Sequence, residues 1–233
     1  PEAPELTTRA SGGDIFPKKK PQDREKVLPM SNTTSPAPAM RSSPVYATLV
    51  AREGPAHFMV ADGAGADALL AVLAQGGPDM LAKTQIVYMP GPDGTDQSAA
   101  LETLGVPQLR IAPSYSAARQ RIQKVLGDAH MGLQIYTAGS EGLMGQVQRD
   151  AVEAGLPYEA VQMEQRGSTL RRVQCVHCKG ITENVAHDPF QCSHCGLHLF
   201  VRDHYSRRLA AYQGVNIDAE DPGEVPPAVE RFK

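Results

Sequence analysis

The four cysteines of this chain, Cys175, Cys178, Cys192 and Cys195, fall as two Cys-x-x-Cys pairs with thirteen residues between them. No other feature restricts the fold so tightly. Two residues between thiols let one tight turn aim both sulfurs at a single ion, and two such knuckles close a tetrahedron. Gly180 and Gly196 follow the second cysteine of each pair, where a knuckle is expected to need positive φ. Between the knuckles, "KGITENVAHDPFQ" reads as a strand, a turn and a strand. The following "GLHLFVRDHY" alternates and reads as a third strand. The spacing therefore predicts a small β-rich zinc ribbon with Cys175, Cys178, Cys192 and Cys195 as ligands. A closed four-thiolate set leaves no position for water or substrate, so the metal is expected to be structural Zn2+. A single rubredoxin-like iron is the rival for the same ligands. A thioredoxin-type redox pair fits less well, since it opens a helix after a strand. His177, His194, His198 and His204 lie nearby. A closed tetrahedron needs none of them, and His177 and His194 occupy knuckle positions expected to face outward.

The residues before the ribbon have another texture. Short apolar runs ("AHFMVADG", "KTQIVYMPG", "QLRIAPS", "MGLQIYTAGS", "PYEAVQME") alternate with segments of helical spacing ("AGADALLAVLAQG", "DQSAALETLG", "SYSAARQRIQKVLGD", "EGLMGQVQRDAVEAG"). "YATLVA", from Tyr46, reads as a further strand, and the first helix is expected to end at Gly76. Such alternation implies βαβ units around a mostly parallel sheet. The fold class predicted is α/β: a Rossmann-like parallel sheet over residues 44–168, followed by the ribbon over 169–215. Residues 1–43, rich in Pro, Ser, Thr and Lys, lack the apolar surface to offset their ordering entropy and are expected to be a disordered or extended arm. Met30 lies within that arm and could be a start, leaving 1–29 as an optional extension. The acidic, proline-rich residues 216–233 are expected to be an extended tail, free or lying on a partner.

Composition narrows the function classes. The 233 residues carry a net charge of -3, so whole-chain electrostatics favour neither nucleic acid nor an anionic membrane. No apolar run is long enough to span a bilayer, and no apolar signal core opens the chain. Paired thiols in a chain of this length suit a reducing compartment, and the expected location is the cytoplasm.

Two stretches carry resemblances. "CVHCKGITENVAHDPFQCSHCGLHLFVRDHYSRRLAAYQGV" resembles the C-terminal module of dimethylamine monooxygenase small subunits, and the likeness extends past the cysteines into "LFVRDHYSRRL". "FMVADGAGADALLAVL" and "IYTAGSEGLMGQVQRDAVEAGLPYEAVQME" are similar to the pyridine-nucleotide domain of ferredoxin–NADP reductases. In that family glycines permit close backbone approach, and a helix N-terminus receives phosphate. This chain departs from the pattern. Ala138 stands where the reductases carry Cys, Ser140 stands where they carry Pro, and Asp62 puts an acid in the turn. Neither a flavin-binding barrel nor plant-type iron–sulfur spacing precedes or accompanies the domain. Gly63, Gly65 and Gly139 are therefore expected to be relics of the fold, and no catalytic or cofactor-binding residue is assigned.

The first resemblance implies membership of a multisubunit enzyme that uses NADPH and O2 to convert dimethylamine to methylamine and formaldehyde. In such an enzyme a reductase subunit carries FMN and a two-iron two-sulfur cluster, and an oxygenase subunit carries haem b. This chain would be a non-catalytic subunit docking those two partners. The expected docking residues are Arg202, His204, Tyr205, Arg207 and Arg208, because Tyr and Arg are favoured interface anchors. Two other functions stay open from the residues alone. Arg166, Arg171, Arg172, Lys179, Arg202, Arg207 and Arg208 could serve a nucleic-acid-binding ribbon, although near-neutral charge, the acidic tail and few aromatics count against it. A free-standing nucleotide-dependent reductase is the third, and it lacks a flavin site.

Overall fold

The computed structural model describes residues 43–233; the expected arm, including Met30, lies outside the described residues. Five strands form the first sheet: β1 (Ala56–Asp62), β2 (Thr84–Met89), β3 (Gln108–Ile111), β4 (Leu133–Gly139) and β5 (Val161–Gln165). All are parallel, in the order β3-β2-β1-β4-β5. Four helices connect them: α1 (Gly65–Leu81), α2 (Ser98–Glu102), α3 (Tyr115–Gly127) and α4 (Glu141–Glu153). The order reverses between β1 and β4, and that switch point opens a crevice at the strands' C-terminal ends.

Burial on both faces explains why the three inner strands, β2, β1 and β4, read as apolar runs, whereas the edge strands β3 and β5 are partly exposed. Along β1, Met59 and Ala61 face a core with Leu69, Val72 and Leu73 of α1. Phe58 and Val60 face the opposite core with Ile122 and Leu126 of α3 and Leu143 and Val147 of α4. Ser114 and Ser140 cap α3 and α4, each hydroxyl accepting an N–H three residues on. α1 runs past the expected end at Gly76. Gly77 breaks the helical path with φ +69°, and Pro78, at home in a first turn, restarts it. "YATLVA" is extended but makes no strand. One backbone bond joins it to β5, Ala47 N–H to the Met163 carbonyl (3.2 Å), and side chains of β5 supply the rest: Leu49 N–H donates to Glu164 Oε2 (2.7 Å), and the Gln162 amide exchanges two 3.0 Å bonds with Val50.

The second module is a mixed five-stranded sheet in the order β7-β6-β11-β10-β9. Its strands are β6 (Arg171–Cys175), β7 (Ile181–Val185), β9 (Phe190–Gln191), β10 (His198–Ser206) and β11 (Ala211–Asn216). β8 (His187–Asp188) pairs separately with β12 (Val229–Glu230). β6 and β11, inner strands of the sheet, lie outside the three strands expected from sequence. The tail also departs from expectation. It returns to its own ribbon, with Arg231 paired to Asp188 (2.6 Å) and Phe232 buried beneath the Arg171 guanidinium (4.3 Å to the ring centre). A small core of Val173, Val185, Val201, Tyr205, Tyr212 and Phe232 holds the module.

The ribbon is keyed to α4. Glu141 Oε1 accepts from the hydroxyls of Tyr46 (3.1 Å) and Tyr212 (3.0 Å). Burial and the Glu141 carboxylate push both phenols up, Tyr212 to about 12. A Cβ on Gly145 would lie 2.1 Å from the Tyr205 hydroxyl, so only glycine lets α4 approach this closely. Buried Arg172 makes its polar bonds within the ribbon, pairing with Glu183 and donating to the carbonyls of Leu209 and Ala210, while its stem packs against Gly142 of α4. Among the described residues, no helix is long and apolar enough to cross a membrane.

Candidate metal centre

The two knuckles share one backbone pattern. In the first, Lys179 N–H donates to the Cys175 carbonyl (3.0 Å) and Cys175 N–H to the Gly180 carbonyl (2.9 Å). In the second, Gly196 N–H donates to the Cys192 carbonyl (3.0 Å) and Cys192 N–H to the Leu197 carbonyl (2.9 Å). Each turn needs one residue at positive φ. Gly196 (+77°) fills that position in the second knuckle as expected. In the first, Lys179 (+63°) takes it instead of Gly180. Gly180 is required for space, since a Cβ there would lie 2.5 Å from the His194 ring. His194 is exposed, as expected. It crosses to the other knuckle and its Nε2 meets the Ile181 carbonyl (2.9 Å). His177 is exposed as expected.

All four sulfurs lie within 4.8 Å of one another. Cys175 and Cys195 are 3.8 Å apart, as are Cys178 and Cys192. A tetrahedron with metal–sulfur bonds of about 2.3 Å has sulfurs about 3.8 Å apart. The residues thus fit a four-sulfur metal site, and the separation is far beyond a disulfide bond of about 2.05 Å. Burial would raise the Cys192 thiol, but the N–H groups of Cys195 and His194 outweigh it and bring it to about 6. Four sulfurs at this spacing cannot all ionise without a cation between them.

The crevice at the switch point has a volume of about 380 Å3 and is lined by Asp62, Gly91, Ser114 and Ser140 from the first module and Arg172 and Glu183 from the second. Its position is where an open α/β sheet receives a phosphate, on a helix N-terminus. Here the chain's own carboxylate sits on that N-terminus. Asp62 accepts from the Ser140 N–H (2.6 Å) and hydroxyl (2.5 Å) and is buried. Burial raises its carboxyl to about 6 despite those two donors, and Asp93 adds to the rise. The glycines serve this arrangement. A Cβ on Gly139 would lie 1.9 Å from Asp62 Oδ1, and one on Gly65 would lie 2.1 Å from the Ala138 carbonyl. Sequence reading marks Asp62 as unfavourable for phosphate; its pairing with Ser140, 78 positions away, has no sequence signal.

Of the expected docking residues, Arg202, His204, Arg207 and Arg208 are exposed. Tyr205 is not: it is buried between the ribbon and α4, edge-on to Tyr212 with ring centres 5.1 Å apart. Its place in an alternating strand did not distinguish an internal joint from an outer surface.

Residues 38–161 match the N-terminal domain of the dimethylamine monooxygenase subunit DmmA-like family, and residues 172–215 match its C-terminal domain. The heme-dependent oxidative N-demethylase delta subunit of Ectopseudomonas mendocina (strain ymp) is 30 % identical over 166 residues, which are 71 % of this chain and 82 % of that protein. Two solved structures share looser likenesses. An intact type IV self-sufficient cytochrome P450 monooxygenase is 17 % identical with a TM-score of 0.40, over 55 % of this chain and 18 % of its own. The ferredoxin reductase of carbazole 1,9a-dioxygenase, in its FAD apo form, is 14 % identical with a TM-score of 0.36, over 49 % of this chain and 34 % of its own. At such TM-scores neither bears on activity.

Proposed function

Since the chain belongs to the dimethylamine monooxygenase subunit DmmA-like family, we propose that it is a non-catalytic assembly subunit of a haem- and flavin-dependent oxidative N-demethylase. In this reading the complex converts NADPH, a proton, O2 and dimethylamine to methylamine, formaldehyde, NADP+ and water. The chain docks the haem-bearing oxygenase subunit and the reductase subunit with FMN and a two-iron two-sulfur cluster. Cys175, Cys178, Cys192 and Cys195 hold one structural Zn2+, which when bound acts as a four-way cross-link. Arg202, His204, Arg207 and Arg208 remain the candidate docking residues, and the free thiols suit the cytoplasm.

The observation that carries the non-catalytic part is the Asp62–Ser140 contact. A buried carboxylate on the N-terminus of α4 takes the donors a nucleotide phosphate would use and repels its charge. The thiol cluster supports a structural metal because four sulfur ligands complete a zinc tetrahedron and leave no position for substrate.

Co-purification tests the reading. Tagged chain expressed in its native host on a methylated amine is expected to bring down haem- and flavin-bearing partners, with about one zinc per chain by elemental analysis. Isolated chain is expected to be colourless and to leave NADPH fluorescence unchanged. A solitary chain carrying iron or flavin, or one that quenches NADPH, would sink the proposal.

A further inference from the structure

A small groove lies where the ribbon meets the C-terminal half of α4. Its volume is about 180 Å3, and Arg149, Val152 and Glu153 of α4, Tyr158, Arg207 and Arg208 line it. That is below the roughly 300–1,000 Å3 of small-molecule sites, and suits a side chain better than a cofactor. The floor is apolar: Val152 is 47 % exposed on a helix whose other face is core. One wall is the Tyr158 ring, covered by the Arg207 guanidinium at 4.5 Å.

The rim is positively charged, and its charges differ in their commitments. Arg149 is held by Asp150 (2.7 Å) and by Glu153 (3.9 Å). Arg207 and Arg208 make no ion pair among the described residues. An exposed aliphatic floor, an aromatic wall and two guanidiniums without a carboxylate partner among the described residues together form the kind of patch that anchors a partner. Complementary charge then specifies a carboxylate beside the entering apolar group. This chain's own candidates fit poorly. Its first 42 residues carry seven basic against five acidic side chains, a net positive charge that the groove's arginines repel, and the acidic stretch Asp218–Glu224 does not line the groove.

We propose that this groove receives an acidic segment of a partner subunit: one apolar side chain on Val152 and Tyr158, with a neighbouring carboxylate bound by Arg207 and Arg208. The inference rests on the reading of the chain as a docking subunit and names the surface and the chemistry that would do it.

The test measures binding of full-length, metal-loaded chain to the purified haem-bearing subunit and, separately, to the purified reductase subunit, over a range of salt. Arg207→Glu/Arg208→Glu is expected to weaken one of these complexes at least about tenfold and to flatten its salt dependence. Val152→Asp should weaken the same complex, since it puts a like charge against the partner's carboxylate. Arg207→Lys/Arg208→Lys should retain much of the affinity, and Arg110→Glu on β3 should retain all of it. Unchanged metal content and near-ultraviolet circular dichroism exclude misfolding as the cause. Wild-type affinity in both the double glutamate and Val152→Asp variants would overturn the groove while leaving the docking role intact. Self-association of the chain that these variants abolish would assign the groove to a second copy and also overturn it. A wild-type chain that binds neither subunit would overturn both proposals.

Discussion

The two modules of this chain solve the same problem with different means. The α/β module buries large clusters on both faces of its sheet, and each strand of the interior is apolar on both sides. The ribbon has a six-residue core and a three-residue patch around two of its thiols. Removing apolar surface from water stabilises at roughly 25 cal/mol per Å2, so the first module has ample means to hold itself. The second depends on its four sulfurs and on its joint with α4. Chain regions with a full core tolerate the loss of one contact, whereas a module with a minimal core is governed by its cross-links.

The largest expected effect tests that contrast directly. Cys175→Ser should abolish stoichiometric metal binding and forfeit much of the about 10–16 kcal/mol that a structural zinc supplies. Hydrogen exchange should then lose protection across β6, β10 and β11 while β1, β2 and β4 keep theirs. Unchanged protection in the ribbon would mean that its own core suffices. In the other module Ile122→Ala, a fully buried truncation, should cost about 2–5 kcal/mol in denaturant unfolding without affecting metal content.

Asp62 offers a pH-dependent comparison. Its folded carboxyl lies at about 6, above its ordinary value of 3.8, so the folded state holds the proton more tightly than the unfolded one. Stability should therefore fall as pH rises from about 4 to about 6.5, by at most on the order of 3 kcal/mol. Asp62→Asn should flatten that segment of the stability–pH curve; an identical slope in the variant would place the titration elsewhere. The smallest effect sharpens the joint. Gly145→Ala should cost about 1–3 kcal/mol, because Tyr205 must yield to the new methyl group. It should raise exchange at the ribbon–α4 contact before anywhere else, and a silent substitution would show that the joint is loose.

The contrast between the modules also governs what could be read from the residues. The inner strands of the parallel sheet are apolar runs, and α3 and α4 carry Ser114 and Ser140 as caps, so these elements announce themselves locally. β6, "RRVQC", and β11, "AYQGVN", announce nothing: Arg171 and Arg172 look like surface residues, and Gly214 weakens a strand pattern. Both arginines are used internally, Arg171 on the rings of Tyr212 and Phe232, Arg172 on carbonyls of the ribbon's own β10–β11 turn. Tyr46–Ala51 has the composition of a strand, yet the side chains of Gln162 and Glu164 supply part of its pairing. The return of Phe232 to the ribbon was hidden for the same reason, since one aromatic residue in a polar tail has no period.

The amino-acid sequence by itself determined the elements whose cause is local: the parallel strands, the capped helices, and the two Cys-x-x-Cys turns that can aim sulfurs at one point. The tertiary structure alone decided which distant groups meet. It brought the two knuckles together at the spacing of a four-sulfur tetrahedron, set Asp62 on the N-terminus of α4, turned Tyr205 inward, and left Arg207 and Arg208 outside beside Val152. Propensity and spacing act over a few residues, but a buried carboxylate finds its donor, and a guanidinium its ring, only after the sheet has fixed where each one stands.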